Sequence, residues 1–485
     1  MKAHHILVAG MLVAAALPTP AFSQTKAPEI PSDAAARKRT PEAQAILDAS
    51  IRELQREMQL LGITELRQPK EAVHPGRPDF ANYDEAKADP YPDLPRLLTL
   101  KDGTKVTSLA QWNRRRAELK ALFDENVYGK YPSHIPQVTW RLESVTARPV
   151  DGIDAIVKHV VGEVDNAAHP AIKVSIPADI VTPAVTKGKK VPVIVGGGTL
   201  TPRFALNGPD PILHIPGSEM CLVLGPPTET SNRQLLKRGW GFVSVDVNAV
   251  QADNGAGLTQ GIIGLVNKGH PRKLDDWGVL RAWAWANSRV LDYLQTDPDV
   301  DGKKVGVMGH SRGGKAALVT LADDPRFAIG FISSSGAGGA NLYRRNYGEA
   351  LQNLASPNEF HWMASNFLRY AAAGHSANEM PVDSHEFIAL VAPRPVFIGG
   401  GGYIDEPACA IPGDAWQDTT GMFKAAAAAS PAWSFYSKTG LETDTLPKIE
   451  TFLNKGSIAF RQHPYGHTPM PNWSYFISFA ARYLE

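Results

Sequence analysis

VGVMGHSRGGK, residues 305–315, is the segment that says most about the architecture of this chain. Its first residues, Val305–Met308, predict a buried strand, and a helix is expected from about Gly314 to Leu321. The turn between them, Gly309–Gly313, matches the pattern G-x-S-x-G. Between a strand and a helix this pattern forms a nucleophile elbow, which holds the serine hydroxyl outward in a strained backbone conformation. We therefore predict that Ser311 is a catalytic nucleophile, with an ordinary glycine turn as the alternative.

Glycines and cations surround this serine. A Cβ atom at Gly309 or Gly313 is expected to collide with neighbouring backbone in so tight a turn, which explains why glycine stands at both positions. Arg312 and Lys315 add positive charge beside the hydroxyl. Arg312 lies inside the turn and is expected to have little freedom to point away, whereas an ordinary surface charge is the alternative for Lys315.

Short β-branched runs alternate with longer helical patterns on both sides of the elbow. This alternation predicts an α/β fold, a three-layer sandwich with a mostly parallel central sheet that has helices on both faces. Together with the elbow it indicates the α/β-hydrolase fold, whose chemistry lies at the carboxyl ends of the strands. The predicted strands are Val191–Val195, Gly241–Val245, Ile329–Ile332 and Pro395–Ile398, and further helices are predicted at Asp275–Leu294 and Phe476–Leu484.

Composition and the start of the chain limit the class of protein and its location. Of 485 residues 43% are hydrophobic and 20% are charged, which is typical of globular proteins. The 50 Lys and Arg balance 49 Asp and Glu, so nucleic acid is not an expected partner. Lys2, the apolar run 6–17 and the small-residue site 21–23 predict a signal peptide over residues 1–23. We expect a secreted or periplasmic protein with no membrane attachment after its removal, and a monomer.

The mature chain is predicted to have two parts. Residues 24–75 form a polar, proline-punctuated N-terminal extension with an amphipathic helix near Glu42 to Leu61, and residues 76–485 form the catalytic domain. The extension clasps the main domain or is a linker, and the sequence leaves both open. Cys221 and Cys409 are the only cysteines, and either a disulfide between them or two separate thiols is compatible with export.

A serine nucleophile needs a base and an acid, which in this fold follow it along the chain in the order acid, then histidine. His467, at a loop tip just before the last helix, is the favoured base over His463, and His375 and His385 come too early. The loop after Ile398 offers the candidate acids Asp405, Glu406, Asp414 and Asp418. Spacing does not choose among these carboxylates. The oxyanion hole is expected from the backbone N–H of Arg312 and the loop Gly196–Thr199.

Several stretches resemble one known family. The nucleophile motif with its Arg312 and Lys315 is similar to the G-x-S-R-x-G-K signature of the glucuronoyl esterases, the fifteenth carbohydrate esterase family. The resemblance covers about residue 75 to the end. The further matching stretches are 82–86, 127–129, Trp277 with Trp283, 335–339, 361–367 and 392–395.

The resemblance implies hydrolysis of the ester that joins 4-O-methyl-glucuronic acid on xylan to lignin alcohols, with no metal or organic cofactor. It implies that the Arg312 side chain stabilises the oxyanion, and that Asp414 is the triad acid, with Asp418 as the remaining alternative. The substrate contacts that it implies are Lys315, Gln352, Glu359 and Trp416. One position departs from the family, because many members carry the triad acid as a glutamate where this chain has Ser334.

The resulting hypothesis is a secreted Ser-His-Asp esterase whose partner is glucuronoxylan or another lignin-carbohydrate ester. An acetyl xylan esterase or other plant-wall carboxylesterase is the nearest alternative, because it would use the same machinery. A polysaccharide-binding protein that kept the fold and lost catalysis is the alternative from another class, and the serine at position 334 motivates it.

Overall fold

The computed structural model describes residues 39–196, 229–403 and 411–485, together with the backbone of two short strands at 212–214 and 221–223. Its strands are β1 (Val138–Val150), β2 (Ile153–Val164), β3 (Ser175–Pro183), β4 (Val191–Gly196), β5 (Ile212–His214), β6 (Cys221–Val223), β7 (Gly241–Val245), β8 (Val300–His310), β9 (Ile329–Ser333), β10 (Val396–Gly401), β11 (Phe452–Leu453) and β12 (Ile458–His463). Its helices are α1 (Pro41–Leu61), α2 (Leu109–Asn126), α3 (Ser231–Lys237), α4 (Val247–Val250), α5 (Gly261–Val266), α6 (Val279–Leu294), α7 (Arg312–Asp323), α8 (Leu368–Ala371), α9 (Ser384–Ala389), α10 (Thr419–Ala429), α11 (Pro431–Ser434) and α12 (Trp473–Leu484).

A mixed sheet runs through the described part of the chain in the order β1-β2-β3-β7-β4-β8-β9-β10-β12-β11. Its middle, from β7 to β12, is parallel. Antiparallel strands flank it, with β1, β2 and β3 on one side and β11 on the other. Strand β4 lies between β7 and β8. The chain therefore continues from β4 to β7 on one side of it and later forms β8 on its other side. Such a switch in strand order opens a crevice at the carboxyl ends of the strands, where ligands bind in open α/β sheets.

Alternating side chains of the strands supply two hydrophobic cores, one on each face of the sheet. In β4, Val193 and Val195 belong to the core beneath α6 and α7, whereas Ile194 belongs to the core beneath α3 and α12. Strand β9 divides in the same way, with Ile332 in the first core and Phe331 in the second. The predicted sandwich of helix, sheet and helix is therefore present, because the side-chain period of two gives a central strand two apolar faces.

The boundaries of several elements differ from the predictions. The helix expected from Asp275 begins at Val279, because Gly278 is its N-cap and the preceding residues form a turn that holds the buried Trp277. Conversely, the strand at the elbow is longer than predicted and spans Val300–His310. The helix after the elbow begins at Arg312, directly after Ser311. The apolar face of a helix is visible in a sequence, but its first residue depends on capping and on the turn before it.

Helix α1 packs against the rest of the chain. Its buried residues Leu54 and Met58 are part of the larger core. Its buried Glu57 pairs with the buried Arg272, whose Nε lies 2.8 Å from Glu57 Oε1. An ion pair without solvent access requires close packing around both groups. Apolar packing and a buried ion pair therefore hold this helix against the rest of the chain.

Candidate active site

The elbow lies where β8 ends and α7 begins. Ser311 has φ 58° and ψ −131°, a backbone conformation that a residue with a side chain rarely adopts. Its N–H donates to the carbonyl of Ser333 at the end of β9, with 3.0 Å between nitrogen and oxygen. The neighbouring strand thus holds the strained residue in place, as expected for a nucleophile elbow.

The steric prediction for the glycines holds at one flank only. A Cβ atom at Gly309 would lie 2.0 Å from the carbonyl oxygen of Gly313, so no larger residue fits there. At Gly313 a Cβ atom would meet nothing within 4 Å, and our prediction of a collision at this position is wrong. The second crowded glycine is Gly314, where a Cβ atom would lie 2.8 Å from the Ser333 carbonyl oxygen. The elbow is therefore packed tightly against β9 at Gly314, whereas space remains around Gly313.

Asp414 and His467 form a hydrogen-bonded pair. Asp414 Oδ1 lies 2.8 Å from Nδ1 of His467. The other oxygen, Oδ2, accepts a hydrogen bond of 2.6 Å from the hydroxyl of Ser334 and one of 2.8 Å from the N–H of Gly401. Burial acts to raise the pKa of the Asp414 carboxyl, but His467 and these donors lower it overall. A buried aspartate that stays ionised can hold an imidazole in one orientation and stabilise its protonated form.

His467 contacts the elbow through His310, the residue that precedes Ser311. The two imidazole ring centroids are 4.2 Å apart, and the His467 side chain is 23% exposed. Nδ1 of His310 lies 3.1 Å from the hydroxyl of Ser333. Burial, together with the neighbouring His467, lowers the pKa of His310 well below its usual value, so this ring is neutral. The structure thus brings the predicted nucleophile and the favoured histidine to the same edge of the sheet.

The histidines that were not favoured have other partners. His463 is buried, where its Nε2 donates to the carbonyl of Thr468 over 2.8 Å and its Nδ1 accepts from the N–H of Tyr465 over 3.2 Å. It therefore shapes the loop that carries His467. His385 is buried with Nε2 2.9 Å from the carbonyl oxygen of Pro95, and the exposed His375 pairs with Glu379.

Asp418, the remaining alternative acid, points to a different partner. Its Oδ2 lies 2.6 Å from Nε of Arg345, and both side chains are fully buried. Arg345 also pairs with Glu85 and Asp89. Asp418 caps α10 by accepting from the N–H of Gly421. These contacts make Asp418 part of an ion-pair network, whereas Asp414 is the acid at the imidazole.

Lys315 is buried and paired, and it is not a surface charge. Its side chain is 2% exposed, and its Nζ lies 2.7 Å from Oε2 of the buried Glu349. Nζ also donates to the carbonyl of Ala337 and lies 5.6 Å from the ring centroid of Trp362. Gly336 makes room for this pair, because a Cβ atom there would lie 2.3 Å from the Glu349 carboxylate.

Arg312 has a different environment. Its side chain is 60% exposed, so the elbow does not restrict it as we expected. It forms an ion pair with Asp253, with 3.0 Å between Nε and Oδ2. Asp253 lies in the loop after α4, beyond the carboxyl end of β7. A carboxylate from the loop region after β7, which β4 separates from β8 in the sheet, thus orients the cation that follows Ser311.

The remaining implied contacts are only partly gathered at the site. The N–H of Glu349 donates to the carbonyl of the half-buried Trp416 over 2.8 Å, which brings Trp416 beside the Lys315 pair. Glu359 lies near Glu349 and Lys315, and burial with the Glu349 charge raises its pKa well above its usual value. The buried Oε2 of Glu359 has no hydrogen-bond partner among the described residues. Gln352 is turned toward the N-terminal segment, where its Oε1 accepts a hydrogen bond of 3.1 Å from Arg67.

Sequence reasoning missed two acidic residues of this site. Glu349 belongs to none of the motifs, and only its buried pairing with Lys315 reveals it. Asp253 follows β7, one of the parallel strands whose carboxyl ends form the site edge of the sheet, and this position was the one available signal. Other expectations lie outside the described residues and side chains: the signal peptide, residues 197–199 of the oxyanion loop, Asp405, Glu406 and the cysteine pair.

No group of three or more His, Cys, Asp and Glu that could hold a metal ion occurs among the described residues. In the same part of the chain, none of the helices is long and apolar enough to span a bilayer.

Comparisons with known proteins point to one family. The family model described as "Glucuronyl esterase, fungi" matches residues 232–428. A CE15 glucuronoyl esterase from Teredinibacter turnerae has a similar structure, with 40% sequence identity and a TM-score of 0.79 over 89% of this chain and 99% of that one. The protein named Carbohydrate esterase MZ0003, from an unknown prokaryotic organism, is 31% identical over 433 residues, which are 84% of this chain and 93% of the relative.

A fungal relative extends the similarity. The 4-O-methyl-glucuronoyl methylesterase 1 of Wolfiporia cocos is 26% identical over 311 residues, 62% of this chain and 64% of the relative. The two prokaryotic similarities cover nearly the whole of the relatives at 30% identity or more. The elbow motif, followed along the chain by Asp414 and then His467, agrees with these similarities. The chain belongs to the glucuronoyl esterases of carbohydrate esterase family 15 and is a carboxylic ester hydrolase with the α/β-hydrolase fold.

Proposed function

We propose that this chain is a secreted serine esterase that hydrolyses 4-O-methyl-glucuronoyl esters, including those that join glucuronoxylan to lignin alcohols. The observation that carries the proposal is the hydrogen bond between Asp414 and His467, whose ring lies against the residue before Ser311. The name of the Wolfiporia cocos relative supports the acyl group. The predicted signal peptide at residues 1–23 supports export.

The reaction proceeds through an acyl-enzyme. The Ser311 hydroxyl attacks the uronate carbonyl carbon while His467 takes the hydroxyl proton, and the carbonyl oxygen becomes an oxyanion. The intermediate collapses, the bond to the alcohol oxygen breaks, and His467 gives its proton to the departing alcohol. Water then attacks the acyl group, His467 takes a proton from this water, and it returns the proton to Ser311 as the glucuronic acid leaves. Asp414 keeps the imidazole oriented throughout and stabilises its charged form.

The developing negative charge is stabilised at the start of α7. The first N–H groups of a helix have no partner within the helix, so the N–H of Arg312 is available to an oxyanion. The exposed guanidinium of Arg312 adds charge-assisted hydrogen bonds on the same side. Donors fixed before the reaction begins stabilise the transition state more than the ground state, and they therefore raise kcat.

The sugar is recognised beside the elbow. A uronate ring presents several hydroxyls and an apolar face, which suit buried charged groups and an indole. We assign hydroxyl contacts to the Lys315–Glu349 pair and to Glu359, whose Oε2 lacks a partner among the described residues, and ring contact to Trp416. Gln352 is assigned a weaker contact, because Arg67 already occupies its amide oxygen.

Paired assays test the substrate class. Purified enzyme is given benzyl glucuronate and acetylated xylan in parallel, with Ser311→Ala as the matched inactive control. We expect release of benzyl alcohol with a much higher kcat/KM than release of acetate, and neither from the variant. Preferential release of acetate would favour the plant-wall acetyl esterase. A protein that binds xylan, turns over neither ester and is not labelled by a fluorophosphonate would be the binding protein without catalysis.

A further inference from the structure

The Arg312 side chain has one anchor in the described structure. It is 60% exposed, and the anchor is the ion pair to Asp253. An arginine side chain has several rotatable bonds, and an exposed one populates many rotamers, so immobilising it in a single geometry is entropically costly. A carboxylate that pairs with Nε fixes the orientation of the planar guanidinium. The positions of the two terminal nitrogens are fixed with it.

Asp253 is itself held on its other side. Its Oδ1 lies 2.6 Å from Nε1 of Trp362 and 3.0 Å from Nε2 of His361, while Oδ2 faces Arg312. Burial acts to raise the pKa of Asp253, but the hydrogen bonds from His361 and Trp362 and the Arg312 charge lower it overall. Burial lowers the pKa of His361, so this ring donates as a neutral imidazole and leaves the Asp253 charge to Arg312.

Trp362 connects the two cations of the nucleophile motif. Its indole N–H holds Asp253, which pairs with Arg312, while its ring lies 5.6 Å from Nζ of Lys315. The indole is 5% exposed and therefore has a fixed position. The rigid Trp362 side chain thus sets the distance between the Asp253 carboxylate and the ammonium of Lys315.

The loop that carries Asp253 is braced on several sides. The backbone carbonyl of Gln251 accepts from the indole of Trp283 over 2.9 Å, and its side-chain amide donates to Gly257 over 2.8 Å. Gly255 packs so closely on Phe360 that a Cβ atom there would lie 2.5 Å from the ring. The N–H of Ala256 donates to the Ser50 hydroxyl of α1 over 3.1 Å. This rigid support is what a group needs to position another side chain.

We propose that Asp253 is the positioning residue for Arg312, and that Trp362 and His361 fix Asp253 for this purpose. The proposal rests on the proposed role of Arg312 in binding the oxyanion. Asp253 acts through Arg312 alone and touches neither the ester nor the nucleophile. Without the Asp253 carboxylate, the guanidinium adopts many solvent-exposed orientations. It is then positioned to bind the oxyanion in only a fraction of the catalytic cycles.

A double-mutant cycle tests this dependence. The four proteins are the wild type, Asp253→Asn, Arg312→Ala and the double variant. The asparagine keeps an oxygen for Trp362 and His361 but removes the charge that holds Arg312. On benzyl glucuronate we expect Asp253→Asn to lower kcat by about 10- to 100-fold, with KM changed by less than about threefold. In the Arg312→Ala background the same substitution should have no further effect on kcat.

Two further variants separate positioning from folding. Trp362→Phe keeps the ring over Lys315 and removes only the indole N–H, so it should lower kcat in the same direction by a smaller factor. Asp246→Asn lies in the same strand loop, is exposed and retains its capping oxygen, and it should leave kcat and Tm unchanged. Full activity of Asp253→Asn would overturn the proposal. So would an equal loss of kcat in the presence and absence of the Arg312 side chain.

The rate of covalent labelling by a fluorophosphonate gives a second readout of the same cycle. Phosphonylation develops negative charge on oxygen at the elbow and does not need a uronate. Slower labelling of Asp253→Asn in the wild-type background alone would support the positioning role. A wild type that is labelled but does not cleave benzyl glucuronate would contradict the proposed substrate, and the cycle would still decide the role of Asp253. Absence of labelling in the wild type would overturn both.

Discussion

Ser334 donates a hydrogen bond of 2.6 Å to Oδ2 of Asp414. Ser334 follows β9, whereas Asp414 lies beyond β10, the next strand of the sheet. The two positions are thus adjacent in space although 80 residues apart in sequence. A serine at the end of one strand thus supports the carboxylate that contacts His467 from the neighbouring strand loop.

Asp414 and Asp418 have opposite predicted phenotypes. Asp414→Asn should lower kcat by about 10⁴, because the asparagine favours the wrong imidazole tautomer and carries no charge. Asp418→Asn should leave most of the activity but lower the thermal midpoint, because it leaves the buried Arg345 without its fully buried partner. Steady-state kinetics and thermal unfolding of both variants measure this. An inactive Asp418→Asn beside an active Asp414→Asn would exchange the two roles.

Removing the supporting hydroxyl should have a smaller effect than removing the acid. Ser334→Ala takes one donor from Asp414 but leaves the N–H of Gly401, so the carboxyl stays ionised with a higher pKa than in the wild type. We expect a decrease in kcat of about 10-fold, the size of one hydrogen bond to a charged group. The acidic limb of the pH–rate profile should move to higher pH. A decrease as large as that of Asp414→Asn would mean that Ser334 has a role of its own.

The buried pair Lys315–Glu349 predicts a non-additive effect on stability. Lys315→Met leaves the Glu349 carboxylate buried without its cation, which should lower the free energy of unfolding by about 3–5 kcal/mol. The double variant Lys315→Met, Glu349→Gln should be more stable than this single variant, because no unpaired charge remains. Chemical denaturation of four proteins, the wild type, Lys315→Met, Glu349→Gln and the double variant, provides the comparison. A double variant that is less stable than both single variants would show that the two side chains do not act as a pair.

Stability should fall in acid partly because of His463. Burial lowers its pKa from about 6.5 to about 4 in the folded protein. The unfolded chain therefore binds the proton first, and the contribution of His463 to stability is present above pH 6.5 and is lost as the pH falls toward 4. Between these values the wild type should lose roughly 3 kcal/mol more than His463→Gln. The measurement is the free energy of unfolding of both proteins at several pH values, and parallel curves would refute the assignment.

The parts of the site that could be predicted from sequence are those that depend on local pattern and chain order. Ser311 stands in a five-residue motif between a strand and a helix, and His467 precedes the last helix. Both lie at the same edge of the sheet in the structure. The acid could not be identified from spacing, because several carboxylates lie in the same loop. Only the resemblance to the family favoured Asp414 over the others.

Features set by tertiary contact could not be predicted. Glu349 and Asp253 have no motif, and their roles depend on which cation each one meets. The second crowded glycine of the elbow, besides Gly309, is Gly314 and not Gly313, because the obstacle is the carbonyl of Ser333 on another strand. Lys315 and Arg312 are separated by two residues in sequence, yet one is buried and the other exposed.

The most direct test of the serine esterase is covalent labelling combined with turnover. Purified wild type and Ser311→Ala are treated with a fluorophosphonate, the modified peptide is identified by mass spectrometry, and hydrolysis of benzyl glucuronate is measured in parallel. We expect one label per chain at Ser311, no label in the variant, and a decrease in kcat of about 10⁶. A variant that retains wild-type turnover, or a label at another residue of the active enzyme, would contradict this expectation.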